Sequence, residues 1–269
     1  MVDVHNASRP RAAPLLSSGA RDMLWVFASV ILALGLWAAA VAILQPPAYI
    51  LPSPWDVLAR TWTDRALLFS HGVTTMGEIL AGLLLSIVVG IPLGIVIVAI
   101  PVVQRLAYPI IIAFNAIPKV ALAPLFVVWF GYGLLPRVLL TGSIAFFPIL
   151  VATITGLTSI EPELLRLAAV LRARQSNIFL HMRVPQAMPS IMSGIKIATS
   201  LAVIGGIIAE FVASDRGWGF LLVQASGSLD TTIMLAIIII LAVVASLLFY
   251  LISLAEIKLV SWHASQRSI

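Results

Sequence analysis

The sequence predicts an all-α, polytopic membrane protein with six transmembrane helices, and three observations carry that prediction. Of the 269 residues, 61% are hydrophobic and only 10% are charged, whereas about a quarter of the residues in a soluble domain are charged. So few charges cannot wet a soluble surface, and a mean hydropathy of +1.10 requires an apolar solvent for most of the chain. The apolar residues are also gathered into uncharged runs long enough to cross about 30 Å of hydrocarbon as helix. The basic residues behind the net charge of +5 lie between these runs, which marks membrane topology and not nucleic-acid binding. The absence of cysteine excludes disulfides, thiolate zinc sites, iron–sulfur clusters and a thiol nucleophile.

The first span covers 23–44. It is longer than the apolar region of a signal peptide, and no small-residue cleavage pattern follows it before Gln45-Pro46-Pro47, so it reads as a retained helix. Residues 1–22 then form a cytoplasmic tail and 23–269 a single transmembrane domain. Leu51-Pro52-Ser53-Pro54-Trp55 reads as a turn feeding a short amphipathic helix, and the external segment 51–65 should lie on the membrane face. The second span, 79–104, has Glu78 at its outer end with Thr75 at capping-box spacing. The third, 106–136, is interrupted at Ile117-Pro118-Lys119, where a proline opens the helix and a cation either meets the freed carbonyls or lines a pathway.

The fourth span is 138–160, and after it 158–188 is the largest feature on its side. Thr158 and Glu161 stand at capping-box spacing with Pro162 in the first turn, predicting a helix that runs to about Ala173. Ser176 is placed to cap a second short helix that Pro185 ends or kinks. The fifth span, 184–209, carries Lys196, which can snorkel to the surface. Glu210, at its outer end, has three readings: a cap, a partner of Arg216, or the lining of an exit. The sixth span is 231–255.

Alternating six helices puts both termini on one side together with Arg9, Arg11, Arg21, Arg105, Arg166, Arg172, Arg174, Arg183, Lys258 and Arg267. The other side holds only Arg60, Arg65, Arg137 and Arg216. The positive-inside rule makes the first side cytoplasmic. Trp25, Trp55, Trp62, Trp218 and Trp262 near span ends fit an interfacial belt, or simple packing.

No Gly-rich phosphate loop ending in Gly-Lys-Ser/Thr is present, so any ATP must be held by a partner. His5, His71, His181 and His263 are far apart, without metal-ligand spacing. Ser143 with His181 as base would suggest an intramembrane protease, but His181 lies beyond the end of that span, and Gly142-Ser143 reads better as small-residue helix packing. The polar groups left inside spans, Asn115, Lys119, Ser143, Thr199, Ser200 and Glu210, are the candidate pathway residues. Being so few, they predict weak cargo binding. Gly90, Pro92, Gly94, Pro109, Pro118, Pro124, Pro148, Gly194, Gly205 and Gly206 indicate kinks and close helix contacts.

The segment 158–188 resembles the signature loop of binding-protein-dependent ATP-binding cassette importer permeases, a Glu-Ala-Ala element followed at fixed spacing by Gly, Ile and Leu-Pro. With the proline on Pro185, the other positions fall on Arg166-Leu167-Ala168, Arg172, Met182 and Val184. Ala168 and Pro185 match, while Arg166 stands for the acid and Arg172 for the glycine. Leu51-Pro52-Ser53-Pro54, Gly90-Ile91-Pro92-Leu93-Gly94, Leu122-Ala123-Pro124-Leu125-Phe126, Trp129-Phe130-Gly131, Phe146-Phe147-Pro148, Phe179, Pro189, Gly194, Ala209-Glu210 and Gly217-Trp218-Gly219 resemble the nitrate/sulfonate/taurine branch.

The resemblance implies a type I importer permease fold. It also implies a translocation subunit with no cofactor of its own, ATP and magnesium being held by a partner ATPase. The implied partners are two ATPase copies, a second permease copy forming a homodimer, an external solute-binding protein and membrane lipid, in a bacterial cytoplasmic (inner) membrane with both termini inside. The implied ATPase-coupling residues are Arg166, Leu167, Ala168, Arg172, Ala173, Ser176, Ile178, Phe179, Met182, Val184 and Pro185. Leu164, Leu165, Ala168 and Leu171 would hold the segment together or against the bundle, with Ile178 and Phe179 entering the ATPase groove. Cargo in that branch spans nitrate, sulfonates, taurine, bicarbonate and pyrimidine or flavin-like compounds, and the stretch from Ile117 to Pro124 looks most like the organic-heterocycle members. A channel or secondary transporter would fit the composition but would not need the basic segment. An intramembrane enzyme lacks a catalytic set.

Overall fold

The computed structural model describes residues 18–260. Most of the expected tail, and Trp262 and Arg267, lie outside the described residues. Helix α1 (Ser18–Leu44) belongs to one compact unit, and the second unit covers Pro46–His263. Within the second unit the order is α2 (Pro54–Thr63), α3 (Arg65–Ala99), α4 (Pro101–Ala116), α5 (Ala123–Phe130), α6 (Leu134–Thr158), α7 (Pro162–Val170), α8 (Gln175–Ile178), α9 (Val184–Ala213), α10 (Trp218–Gly227) and α11 (Thr231–Leu259). Prolines at the first or second position open α2, α4, α5 and α9, where the missing N–H would have no partner in any case.

Among the described residues five helical stretches are long and apolar enough to cross a membrane: Phe27–Leu44 of α1, α3, α6, Gln175–Ala213 and α11. The sixth expected span is present as a broken one, with α4 and Lys119–Phe130 meeting at 85° across Ile117-Pro118. Pro118 has no N–H to continue the ladder, and the chain passes through one 3₁₀ turn, Lys119–Leu122, before α5.

The core of the second unit is the packing of α3, α6 and α9. Gly82, Ser86, Gly90 and Gly94, each four residues after the last, form a smooth strip along α3. It meets Thr141, Ala145, Ile149 and Thr153 on α6, all buried. A methyl group on Gly82 would lie 2.5 Å from Thr141 Cγ2, and one on Gly94 would lie 2.7 Å from Thr153 Cγ2, so only glycine permits this approach. On α9, Ala187, Ile191, Gly194, Ala198, Ala202 and Ala209 are buried, and Gly194 leaves no room for a Cβ against Ala152 of α6. Between helices in lipid the hydrophobic effect supplies little, so such close packing is what holds them together. The Ser86 hydroxyl adds a cross-helix bond to the Gly142 carbonyl at 2.9 Å. A second cluster, Leu68, Trp218, Leu221, Leu222, Ala225, Ile233 and Ile237, ties α10 and α11 to the start of α3.

Helix α2 is amphipathic, as its sequence requires. Ser53 and Asp56 form a reciprocal capping box, Val57 is buried, and Trp55, Leu58 and Trp62 are exposed at helical spacing. Arg60 bridges Asp64 within the helix and Asp230 at the cap of α11 (2.7 and 3.1 Å).

Six expectations are corrected. The second span begins at Arg65, well before Ile79, so Glu78 lies inside a helix. Thr75 does not cap it, since its hydroxyl faces His71 O (3.3 Å) and accepts from Trp218 N–H (2.8 Å). Thr158 is the last residue of α6 and bonds back to Ile154 O, so it makes no capping box with Glu161. Ser176 is not a cap: Arg174 occupies the cap position of α8, and α8 runs through a π-helical turn, Phe179–Arg183, directly into α9. Pro185 sits in the first turn of α9, where a proline costs no hydrogen bond, so it neither ends nor breaks the helix. Lys196 does not merely snorkel, because Glu256 on α11 lies 2.6 Å from its Nζ.

Candidate functional site

Three groups of residues hold chemistry that an ordinary helix bundle does not need. The first is a buried charge cluster joining α3, α6, α9 and α10. Glu78 of α3 is fully buried, and Arg137, one turn into α6, places Nη1 2.6 Å from its Oε1. Arg137 was expected in an outer loop. It is inside because α6 starts at Leu134, and its Nε also bonds Gly133 O (2.8 Å) while Nη1 donates to Ser214 Oγ (2.5 Å). Glu210 is 1% exposed and has no contact with Arg216 among the described pairs; its Oε2 accepts the Gly219 N–H at 2.5 Å. That amide belongs to the first turn of α10, whose positive dipole end faces the carboxylate. A strong geometric demand follows. Gly217 has φ +107, and any Cβ there would run into the Glu210 carboxylate.

The loop between α9 and α10 is fastened from below as well. His71 Nδ1 accepts from Gly217 N–H (3.0 Å), and Trp218 Nε1 donates to Leu68 O (2.8 Å). Two buried carboxylates thus have different partners: Glu78 pairs with the Arg137 guanidinium and Glu210 takes the Gly219 amide. Among the described residues no hydrogen bond reaches Glu78 Oε2, Glu210 Oε1 or Thr141 Oγ1. Breaking such a network exposes a bare buried charge, so it locks four helices in one arrangement.

The second group is the break in the third span. Lys119 Nζ reaches Asn115 O and Oδ1 (3.3 and 3.4 Å) and lies 5.7 Å from the Phe147 ring centroid. Asn115, Lys119 and Phe147 are therefore brought together where backbone carbonyls are freed. The other candidate pathway residues are dispersed. Ser143 is half-buried on α6 and bonds Leu140 O, and Ser200 faces a groove between α9, α10 and α11. Thr199 is fully buried with its hydroxyl on Ile195 O, so it cannot line a pathway in this arrangement.

The third group is the segment 158–188. Helix α7 ends with Arg172 at φ +51, and Ala173 N–H reaches back to Ala168 O at 3.0 Å. This is a Schellman turn in which the left-handed position usually goes to glycine. Arg172 thus replaces the motif glycine chemically but keeps its backbone conformation. Ala168 and Ile178 are buried and Phe179 is packed against the main core. Ile178 faces inward because α8 is continuous with α9, so it anchors the segment and is not free to enter a partner's groove. Leu167, Val170, Leu171 and Leu180 are the exposed apolar side chains, and Leu171, expected to hold the segment to the bundle, points outward. Arg166, Arg174 and Ser176 are also exposed, while Met182, Arg183, Val184 and Pro185 are half-buried.

Residues 82–259 match the model of the family described as binding-protein-dependent transport system inner membrane component. The chain belongs to this family. It is accordingly the multi-pass, inner-membrane permease subunit of an ATP-binding cassette importer, not an enzyme, with ATP hydrolysis in a separate subunit. Over 232 residues (86% of this chain, 92% of the relative) it is 35% identical to the formylaminopyrimidine transport permease protein of Halalkalibacterium halodurans. It is 35% identical over 239 residues (88% and 89%) to the riboflavin transport system permease protein of Chloroflexus aurantiacus. It is 30% identical over 234 residues (84% and 85%) to the taurine transport system permease protein of Escherichia coli. The fold matches inward-facing conformations of the MetNI methionine ABC transporter with a TM-score of 0.62 at 20% identity, covering 73% of this chain and 96% of that one.

Sequence reasoning did not find Arg137 or Thr75 as members of a buried network, nor the buried Thr141 beside them. The available signal was spacing: Arg137 and Thr141 are one helical turn apart on the face of α6 that also carries Ala145 and Ile149.

Proposed function

We propose that the chain works as one of two identical copies whose 23–269 domains enclose a cargo pathway at a two-fold axis. Two copies of an ATPase holding ATP and magnesium bind on the cytoplasmic side, and an external solute-binding protein delivers cargo on the other. Both termini face the cytoplasm, as the distribution of arginines favours. The observation that carries the coupling part is the continuity of Gln175–Ala213. One helical stretch starts in the coupling segment and ends beside Glu210, so displacement of α7 and α8 by an ATPase is delivered to the buried charge cluster and the α9–α10 loop. The contact residues of this reading are Leu167, Val170, Leu171 and Leu180, flanked by Arg166 and Arg172.

Val170→Asp should release the ATPase on purification or uncouple its hydrolysis from transport, since an aspartate in an apolar groove is desolvated without a partner. Unchanged coupling in reconstituted vesicles would refute this role. Orientation is testable with single introduced cysteines at Trp55 and Val170, because the chain has no cysteine of its own. Impermeant thiol reagents should reach the first from outside the cell and the second only after lysis.

We infer that the cargo is a small heteroaromatic compound. The two relatives at 35% identity are named for a formylaminopyrimidine and riboflavin, and the taurine permease is at 30%. Uptake by the complete system of formylaminopyrimidine or riboflavin, but not taurine, supports the reading; uptake of taurine alone refutes it.

A further inference from the structure

Helix α2 has three faces, which appear when its residues are set about 100° apart around the axis. Val57, Thr61 and Asp64 form one, buried or half-buried against the bundle. Asp56, Arg60 and Thr63 form a second, polar and exposed. Trp55, Leu58 and Trp62 form the third, and no described residue covers it: they are 78%, 57% and 71% exposed. Two tryptophans and a leucine left on one side of a ten-residue helix mark a surface that meets something other than water.

Three observations identify lipid as what covers it. The first is continuity. Only Asp64 separates α2 from α3, and along α3 the stripe goes on through Phe69, Val73, Leu80 and Leu84, all exposed and spaced as one helix face. That helix is long and apolar enough to cross the membrane, so the uncovered face of α2 runs into a lipid-facing one. The second is depth. The 29 residues of α11 span about 43 Å, the thickness of a bilayer with its headgroups, about 40–45 Å. Its first turn therefore lies at headgroup level, and Arg60 Nη2, 3.1 Å from the capping Asp230, holds α2 at that level. The third is chemistry. Tryptophan is the side chain that settles at headgroup depth. The Arg65 guanidinium stands 5.0 Å from the Trp62 ring centroid and has no carboxylate among the described ion pairs. A cation at the edge of an aromatic face suits the level of the lipid phosphates.

We propose that α2 is a lipid-anchored clasp: Leu58 and Trp62 enter the upper acyl region of one leaflet, and the helix so held fixes the first turn of α11. Two bonds make the clasp, the Arg60–Asp230 pair and the Thr231 hydroxyl, which donates to Ala48 O at 2.8 Å. Trp55 borders the polar face, so a thiol introduced there stays within reach of aqueous reagents. Leu241, Ala245 and Leu248 of α11 pack on the core that α9 shares, and a pinned α11 gives a displaced α9 a fixed neighbour to move against. The inference goes beyond the proposed assembly and holds for any cargo.

The chain has no cysteine, so one nitroxide label can be placed at Leu58→Cys and another, on the polar face, at Thr63→Cys. In the full chain with its ATPase in lipid nanodiscs, oxygen should relax the label at 58 more than a water-soluble nickel chelate does, with the reverse at 63. A label at 58 relaxed mainly by the chelate places the face in water, and one reached by neither reagent places it under a protein, such as a second copy; either result overturns the proposal. Hydrogen exchange tests the clasp. Leu58→Ser with Trp62→Ser removes exposed side chains and no bundle contact, yet should speed exchange several-fold in the first turn of α11, with Arg60→Gln doing the same. Unchanged exchange there, or a rise that extends equally through α6 and α9, overturns the clasp.

Discussion

Replacing Arg137 with methionine removes the guanidinium that pairs with the buried Glu78 carboxylate. At the 2.6 Å separation of Nη1 and Glu78 Oε1, the gross attraction is about 6 kcal/mol with an effective dielectric constant of 20. Much of that is offset by the desolvation of both groups, and loss of one partner from a buried pair has a net cost of about 3–5 kcal/mol because the remaining charge is stranded. Arg137 also donates to Gly133 O and Ser214 Oγ, so the α5–α6 and α9–α10 connections loosen with it. At about 2–4 °C per kcal/mol for a chain of this size, the midpoint of thermal unfolding in detergent should fall by roughly 10 °C. Adding Glu78→Gln to Arg137→Met should restore more than half of the loss, because the stranded charge is then gone, giving a coupling energy of about 2 kcal/mol or more in the double-mutant cycle. Arg137→Lys should fall between parent and Arg137→Met, since an ammonium keeps the charge but not the fork that spans three partners. A single variant within about 1 kcal/mol of the parent, or strictly additive losses, would show that the cluster does not lock the bundle.

Gly217→Ala should cost more than a left-handed residue alone, about 1–2 kcal/mol, because its methyl meets the Glu210 carboxylate; greater protease cleavage between α9 and α10 is the readout. Arg172→Gly relaxes the φ +51 position and should slow hydrogen exchange in the last turn of α7 several-fold, with Arg172→Ala giving no such gain. Lys196→Met should lower stability by no more than about 1 kcal/mol, since the pair with Glu256 is partly exposed (side chains 23% and 18%) and screened. Because a surface-screened pair weakens with salt, high ionic strength should abolish most of that difference.

The resemblance and the apolar runs already implied the family, the all-helical class and most of the spans, and the physical reason is local. A helix in lipid satisfies its own backbone, so an uncharged run of sufficient length reports a span without reference to any neighbour. The amphipathic α2 was legible for the same reason: Ser53 and Asp56 form its cap within one turn. Errors arose wherever a local signal had a distant competitor. Thr75 and Glu78 carry the spacing of a capping box, but the helix had begun at Arg65, and the threonine hydroxyl was claimed by Trp218, remote in sequence. Glu210 and Arg216 are near in sequence and opposite in charge, yet the carboxylate turned to the Gly219 amide at the start of α10.

What the sequence alone determined is therefore most of the spans, the amphipathic α2 and the break at Pro118, each fixed by bonds and sterics within a few residues. Only the tertiary structure decided which charges meet. Glu78, Arg137 and Glu210 come from three helices, and nothing in their spacing ties one to another. Glu78 and Arg137 pair, and Glu210 takes the Gly219 amide, because the close approach of α3, α6 and α9 buries all three away from water. The same packing turned Ile178 inward, which no periodicity within the four residues of α8 could have specified, and left Val170 and Leu171 at the end of α7 outside.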